Sequence, residues 1–357
     1  MDDRWDELAE ILVDYSTEVR AGDKVLIAMG EVETLPLVRA VYGRAIQAGG
    51  HPQVVFSSAY LDRELLQRGS EEQIGRLPDL EARGIEWADV YIGLRGSRNP
   101  AELGSTDPPR YATYRRALGE ISAMRTRGTR WVLVRVPSEP LAQQAGIGLE
   151  EVMRFFFEAT LRDWQREGQR YAGLARIFER AQVVRIEAAG TDLEFSTRGR
   201  RYAIGDGRIN MPDGEIYTAP EDTSAHGCIT FELPASFGAA RAEGVRLEFR
   251  DGRVVAASAQ RNERLLRSVL ETDAGSQRIG EFGVGTNDAI PCFFSDILYD
   301  EKMAGTVHIA LGRAYAQCGG TNESAVHWDL VKDLRTDGLI RLDGRIVLEA
   351  GKWLLDW

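Results

Sequence analysis

Two hydrophobic periods alternate through the first half of this chain, and one of them gives out near residue 180. Leu8, Ile11, Leu12, Tyr15 and Val19 recur at helical spacing, and Val25-Leu26-Ile27-Ala28, entered through Gly22-Asp23-Lys24, is unbroken apolar sequence. Apolar residues three and four apart line one face of a helix, whereas a short continuous apolar run suits a strand covered on both faces. The unit recurs: Leu35 to Ala48 has the helical period, and Gln53-Val54-Val55-Phe56, Asp89-Val90-Tyr91-Ile92-Gly93 and Arg130-Trp131-Val132-Leu133-Val134 are strand-like. Such alternation predicts a parallel sheet with flanking helices, an α/β domain over residues 1–180. Helical periodicity continues from Leu149 to Ala181, and glycine-punctuated, strand-like sequence then runs from Val183 to Ile309. Residues 181–357 are expected to form a second, strand-rich α+β domain.

The second half also concentrates the residues that bind metals. The chain has four histidines, and His308, Tyr315, His327 and Asp329 fall within twenty-two residues. If His327-Trp328-Asp329 is a strand, its outer side chains share one face, and an imidazole and a carboxylate converge. Thr306 to Leu311 alternates in the same way, which sets His308 opposite Val307 and Ile309 and offers a second imidazole from a neighbouring strand. Two imidazoles and one carboxylate would hold a single Fe(II), Zn(II) or Mn(II). Glu215 and Glu281, in glycine-rich turn contexts upstream, raise the set to five ligands, enough for two divalent ions sharing a carboxylate. Taken singly, a histidine in an apolar strand is usually a core residue, and a glutamate after glycine is usually solvated. The joint pattern is what points to metal, and this domain is expected to be the metal-binding, catalytic one.

Other constellations carry less. Asp296, Asp300 and Glu301 read as helix-surface carboxylates, with a supporting contact to His308 as the alternative. Gly205-Asp206-Gly207 and Gly280, Gly283 and Gly285 lack the form of a phosphate-binding loop and read as turns. Ser224, His226 and Cys228 have no third orienting group, as a side-chain nucleophile would need.

The stretch Met211 to Pro220, the segment Ile279-Gly280-Glu281, the block Thr306 to Tyr315 and the block Asn322 to Asp329 resemble, in order, the metal-binding motifs of the aminopeptidase T and aminopeptidase S family of dimetal exopeptidases. The resemblance extends from Tyr15–Ile27 to Asp343-Gly344-Arg345 and Gly351-Lys352-Trp353. It implies that Glu215, Glu281, His308, His327 and Asp329 ligate two divalent ions, zinc, cobalt or manganese, and that Tyr315 lies beside them as a ligand or transition-state donor. Glu281 would double as the proton shuttle of a peptide-cleaving homodimer. The chain departs from the family in being shorter, with a compact link from Tyr315 to His327 carrying Cys318-Gly319-Gly320. The same superfamily includes dihydroxypyridine ring-cleaving dioxygenases. In such an enzyme His308, His327 and Asp329 would hold one Fe(II), and Glu215 and Glu281 would not both be needed.

Composition bounds the rest. With 357 residues, 43% hydrophobic and 28% charged, the chain can fill two domain cores. A formal net charge of -11 argues against nucleic acid or an anionic membrane as a partner, since both need a basic patch. Cys228, Cys292 and Cys318 are not spaced as a CxxC pair and suggest free thiols in a reducing compartment. The acidic start Met1-Asp2-Asp3-Arg4-Trp5 lacks the pattern of a signal peptide, and no apolar run reaches the roughly 18 residues of a membrane span. A cytoplasmic location is expected.

Overall fold

The computed structural model describes residues 2–238 and 240–357. Tertiary contacts divide it into two units, one of residues up to 161 with 207–212, the other of 162–206 with 213–357.

The first unit is built on a five-stranded, all-parallel sheet in the order His51–Ser57, Lys24–Gly30, Val90–Arg95, Arg130–Arg135, Asn210–Met211. Four of these strands are the apolar runs read from the sequence. Val90–Arg95 is buried at five of its six positions, which its unbroken Val-Tyr-Ile-Gly-Leu run allows. Helices including Leu35–Gln47, Asp79–Trp87 and Pro108–Gly128 connect the strands, and Ala82, Ile85 and Ile121 pack against Leu26, Tyr91 and Leu133. The fifth strand is two residues long and comes from far down the chain, too short to carry a periodic signal.

The second unit begins with the helix Trp164–Arg180, capped by Asp163, whose side chain accepts from the Arg166 N–H. The helical pattern running to Ala181 is therefore two helices, Leu149–Thr160 and Trp164–Arg180, with a break at Leu161, Arg162 and Asp163. Two large antiparallel sheets follow, besides the short pair Ala235–Phe237 and Ala240–Ala242. An eight-stranded one includes Val183–Ala188, Thr191–Ser196, His226–Phe231 and Val245–Arg250, each joined to its neighbours by antiparallel pairing. The other has five strands in the order His327–Asp333, Thr306–Gly312, Ile279–Gly285, Glu215–Thr218, Ala203–Gly205. One face of this five-stranded sheet is apolar: Phe282 meets Phe195 of the larger sheet with ring centroids 4.9 Å apart and Phe178 of the helix at 6.4 Å. Removing a ring buried this deeply costs about 3–5 kcal/mol, so this face anchors the sheet. The opposite face is polar and carries the site. No helix among the described residues is long and apolar enough to cross a membrane.

Candidate metal centre

Strand register brings the candidate ligands together. Directly paired residues of antiparallel strands share a face, and alternate residues of one strand do too. Asp329 pairs with Ala310 and His327 with Gly312, which puts both on the face of His308. Gly283 pairs with His308 and Glu281 with Ala310, so Glu281 joins them; Gly285 pairs with Glu215, which completes the set. Glu215, Glu281, His308, His327 and Asp329, from four adjacent strands, therefore share one face of the five-stranded sheet.

Small residues make the convergence possible. A Cβ at Gly283 would sit 2.0 Å from His308 Cε1, so only glycine leaves space for the imidazole to lie across the neighbouring strand. A Cβ at Gly285 would meet the Met303 carbonyl oxygen at 2.1 Å. The glycines that read as turn signals are openings in a crowded strand.

Two groups of donor atoms result, Glu215 with Glu301 and His308, and Glu281 with His327 and Asp329, each with its donors within 4.8 Å of one another. Glu281 links them: Oε1 is 3.4 Å from His308 Nε2, and Oε2 is 3.2 Å from His327 Nε2. Glu215 Oε2 lies 3.6 Å from His308 Nε2, and Asp329 Oδ1 lies 3.5 Å from His327 Nε2. The His327 Nδ1–H donates to the Arg313 carbonyl at 2.9 Å, which fixes the ring's orientation and turns Nε2 toward the carboxylates. Glu215 and Glu281 are buried, at 5% and 4% exposure, and so is His308 at 1%.

These residues fit a cation. Glu215 Oε2, Asp329 Oδ1 and His308 Nδ1 are buried with no hydrogen-bond partner, a costly state for polar atoms. Protonation behaviour points the same way. Burial pushes Glu215 up to about 8 against the pull of Lys302, and it pushes Asp329 up to about 6. Burial acts to raise Glu281 as well, but hydrogen bonds from His308 and His327 outweigh it and hold this carboxyl at about 2. Burial would lower both histidines, yet the surrounding carboxylates raise His308 to about 9 and His327 to about 10. A cluster that binds protons so tightly is short of positive charge, the condition that divalent ions relieve.

Two tyrosines border the cluster. The Tyr315 ring lies 5.3 Å from that of His327 and 5.4 Å from that of Tyr217, and Gln317 Nε2 donates to the Tyr217 hydroxyl at 3.1 Å. Burial, with the charges of Glu281 and Asp329 behind it, raises the Tyr315 pKa and keeps the phenol protonated.

Residues 1–353 match the thermophilic metalloprotease (M29) family. This chain belongs to that family. The M29 protein is thus a metal-dependent peptidase, and the match does not favour a ring-cleaving dioxygenase. It is 25% identical to aminopeptidase 2 of Geobacillus stearothermophilus over 414 aligned positions, covering 99% of each chain. It is also 25% identical to aminopeptidase T of Thermus thermophilus over 406 positions, covering 98% of each. Among solved structures, wild-type AmpT from Thermus thermophilus has the same fold, with a TM-score of 0.87 at 24% identity over 99% of each chain. A 2,5-dihydroxypyridine dioxygenase from Pseudomonas putida KT2440 shares the fold less closely, at 0.61 and 15% identity over 98% of this chain and 96% of that one. The α/β and strand-rich α+β architecture expected from the M29 sequence is the one observed.

Sequence reasoning misplaced one acidic run of the M29 protein. Glu301 is no helix-surface carboxylate: it groups with Glu215 and His308, and Lys302 hydrogen-bonds to it. Asp300 is buried and accepts from the Phe294 N–H at 2.7 Å. Lysine supplied a signal for this, because Lys302 is one of only four in an arginine-rich chain and directly follows two acids. Ser224, His226 and Cys228 do not assemble: Ser224 Oγ donates to the Glu221 carbonyl, and Cys228 Sγ faces the Gly190 carbonyl.

Proposed function

We propose that the protein is a cytoplasmic, homodimeric aminopeptidase that removes N-terminal residues from peptides with two divalent ions, zinc, cobalt or manganese. The observation that carries this reading is Glu281, whose two carboxylate oxygens face different imidazoles and suit it to be shared between two ions. Glu215, Glu281, His308, His327 and Asp329 would hold the pair, with Glu301 beside the first group. When bound, such a pair supplies a hydroxide nucleophile near neutral pH and polarises the scissile carbonyl. Tyr315 donates its phenolic proton toward the developing oxyanion, a contact stronger in the transition state than in the ground state. Glu281 takes the proton that the attacking water gives up and passes it to the leaving amine. A free α-amino group, once deprotonated, would suit an open position at such a pair, which confines cleavage to the first peptide bond.

The test is metal content measured beside turnover. Apo protein reconstituted with Zn(II), Co(II) or Mn(II) should bind two equivalents per chain and release chromophore from a panel of aminoacyl substrates. One iron per chain with ring opening of a dihydroxypyridine would overturn the reading, and a monomeric mass in solution would remove the homodimer.

A further inference from the structure

Lys302 is a fully buried cation set against one half of the acidic cluster. Its ammonium donates to Glu215 Oε1 at 2.7 Å and to Glu301 Oε1. Both carboxylates belong to the group that includes His308. The ion pairs of Glu281 and Asp329, among the described residues, are with His308 and His327 alone.

The lysine is held firmly in place. Its carbonyl accepts from the Asn287 N–H, and the Asn287 side chain donates to the Asp213 carbonyl, two residues before Glu215. Gly285, paired with Glu215, leaves the space through which the chain at Lys302 and Met303 passes: a Cβ there would meet the Lys302 carbonyl carbon at 2.9 Å.

We infer that Lys302 makes the two cation positions unequal: it orients Glu215 and Glu301 by one oxygen each and weakens their group for cations. The Glu281–His327–Asp329 group then fills first, and the Glu215–Glu301–His308 group is the exchangeable one. The inference rests on the two-ion reading. With neutral imidazoles and Glu281 counted at both positions, each presents a net of two negative charges; what separates them is that Lys302 takes one oxygen of Glu215 and one of Glu301 and sets a buried cation against that position alone. A full unit charge at hydrogen-bond distance in a buried site changes cation affinity by about tenfold or more. Lys302 also occupies Oε1 of each carboxylate, and Glu215 Oε2, unpartnered and 3.6 Å from His308 Nε2, is the oxygen left for an ion. Lys302 is therefore a positioning residue with an electrostatic effect on one position.

Competition of the full-length apo protein with a chromophoric chelator for Zn(II) tests this without reference to activity. Wild type should bind two equivalents with dissociation constants about tenfold or more apart. His308→Ala should lose the weaker step and Asp329→Ala the tighter one. Lys302→Met should tighten the weaker step and close the gap, with Lys302→Gln as the second variant if the first does not fold. Two equal constants in wild type, loss of the tighter step in His308→Ala, or an unchanged gap in a folded Lys302 variant would each overturn the inference. Binding of a single equivalent would instead sink the two-ion reading and this inference with it.

Discussion

Val90–Arg95 and Ile279–Gly285 are each the middle strand of a five-stranded sheet, and both are buried almost throughout, yet their sequences have little in common. Val-Tyr-Ile-Gly-Leu-Arg fills both faces with its own apolar side chains, as a parallel strand covered by helices must. Ile-Gly-Glu-Phe-Gly-Val-Gly fills only one face, with Phe282 and Val284, and leaves the other to Glu281 and to side chains reaching over from adjacent strands. The first strand is occupied with stability alone. The second gives up half of its packing to hold charge, and its sheet relies on the aromatic face behind it.

Substitutions should separate the two strands cleanly. Glu281→Ala removes the carboxylate shared by both groups, so kcat/KM should fall by about a thousandfold or more, with loss of bound metal and little change in fold. Aminoacyl hydrolysis at more than a tenth of the wild-type rate would break the comparison. Ile92→Ala in the other middle strand should do the reverse: denaturant unfolding should show a loss of about 2–5 kcal/mol, while kcat per folded molecule stays at the wild-type level. Tyr315→Phe sharpens the chemistry, because it keeps the ring contact with His327 and removes the proton. About a hundredfold loss in kcat at unchanged metal content is the expected result, and a loss confined to KM would contradict the donor role.

The smallest effect concerns how the site sheet is closed. Asp273, before the Glu281 strand, accepts from the Gly275 and Ser276 N–H groups and from Ser324 Oγ and the Ala325 N–H, just before the His327 strand. Burial acts to raise its pKa, but these donors outweigh burial and hold the carboxyl below its ordinary 3.8. A depressed folded-state pKa gives stability that is present above 3.8 and is lost as pH falls through the lower folded value. Asp273→Asn should therefore cost about 1–2 kcal/mol at neutral pH, and urea midpoints should show the wild-type advantage shrinking once the pH drops below that ordinary value.

The same contrast explains what could be read in advance. Val25–Ala28 and Val132–Val134 announce themselves because a strand buried on both faces has no polar position to obscure its period. His308, His327 and Asp329 were legible as same-face strand residues, since alternation needs only local sequence. Glu215 and Glu281 looked like turn residues because turns and crowded strands both ask for glycine, and sequence spacing does not distinguish a positive φ from a missing Cβ. Gly214 meets both demands, with φ of 123° and a Cβ position 2.8 Å from Asn287 Cβ. Glu301 was hidden for another reason: a glutamate in an acidic run looks the same whether it faces water or a pocket. Only the register of separated strands and the placement of Lys302 decide between them.

The two-residue strand Asn210–Met211 has a consequence for biosynthesis. It closes the parallel sheet beside Arg130–Arg135, and Glu215 follows only four residues after Met211. On the ribosome the amino-terminal sheet must wait for its last strand until more than two hundred residues have been made, so a fragment ending at 161 would emerge with an open edge along Arg130–Arg135. Truncation libraries should find soluble amino-terminal pieces only when they extend past Pro212.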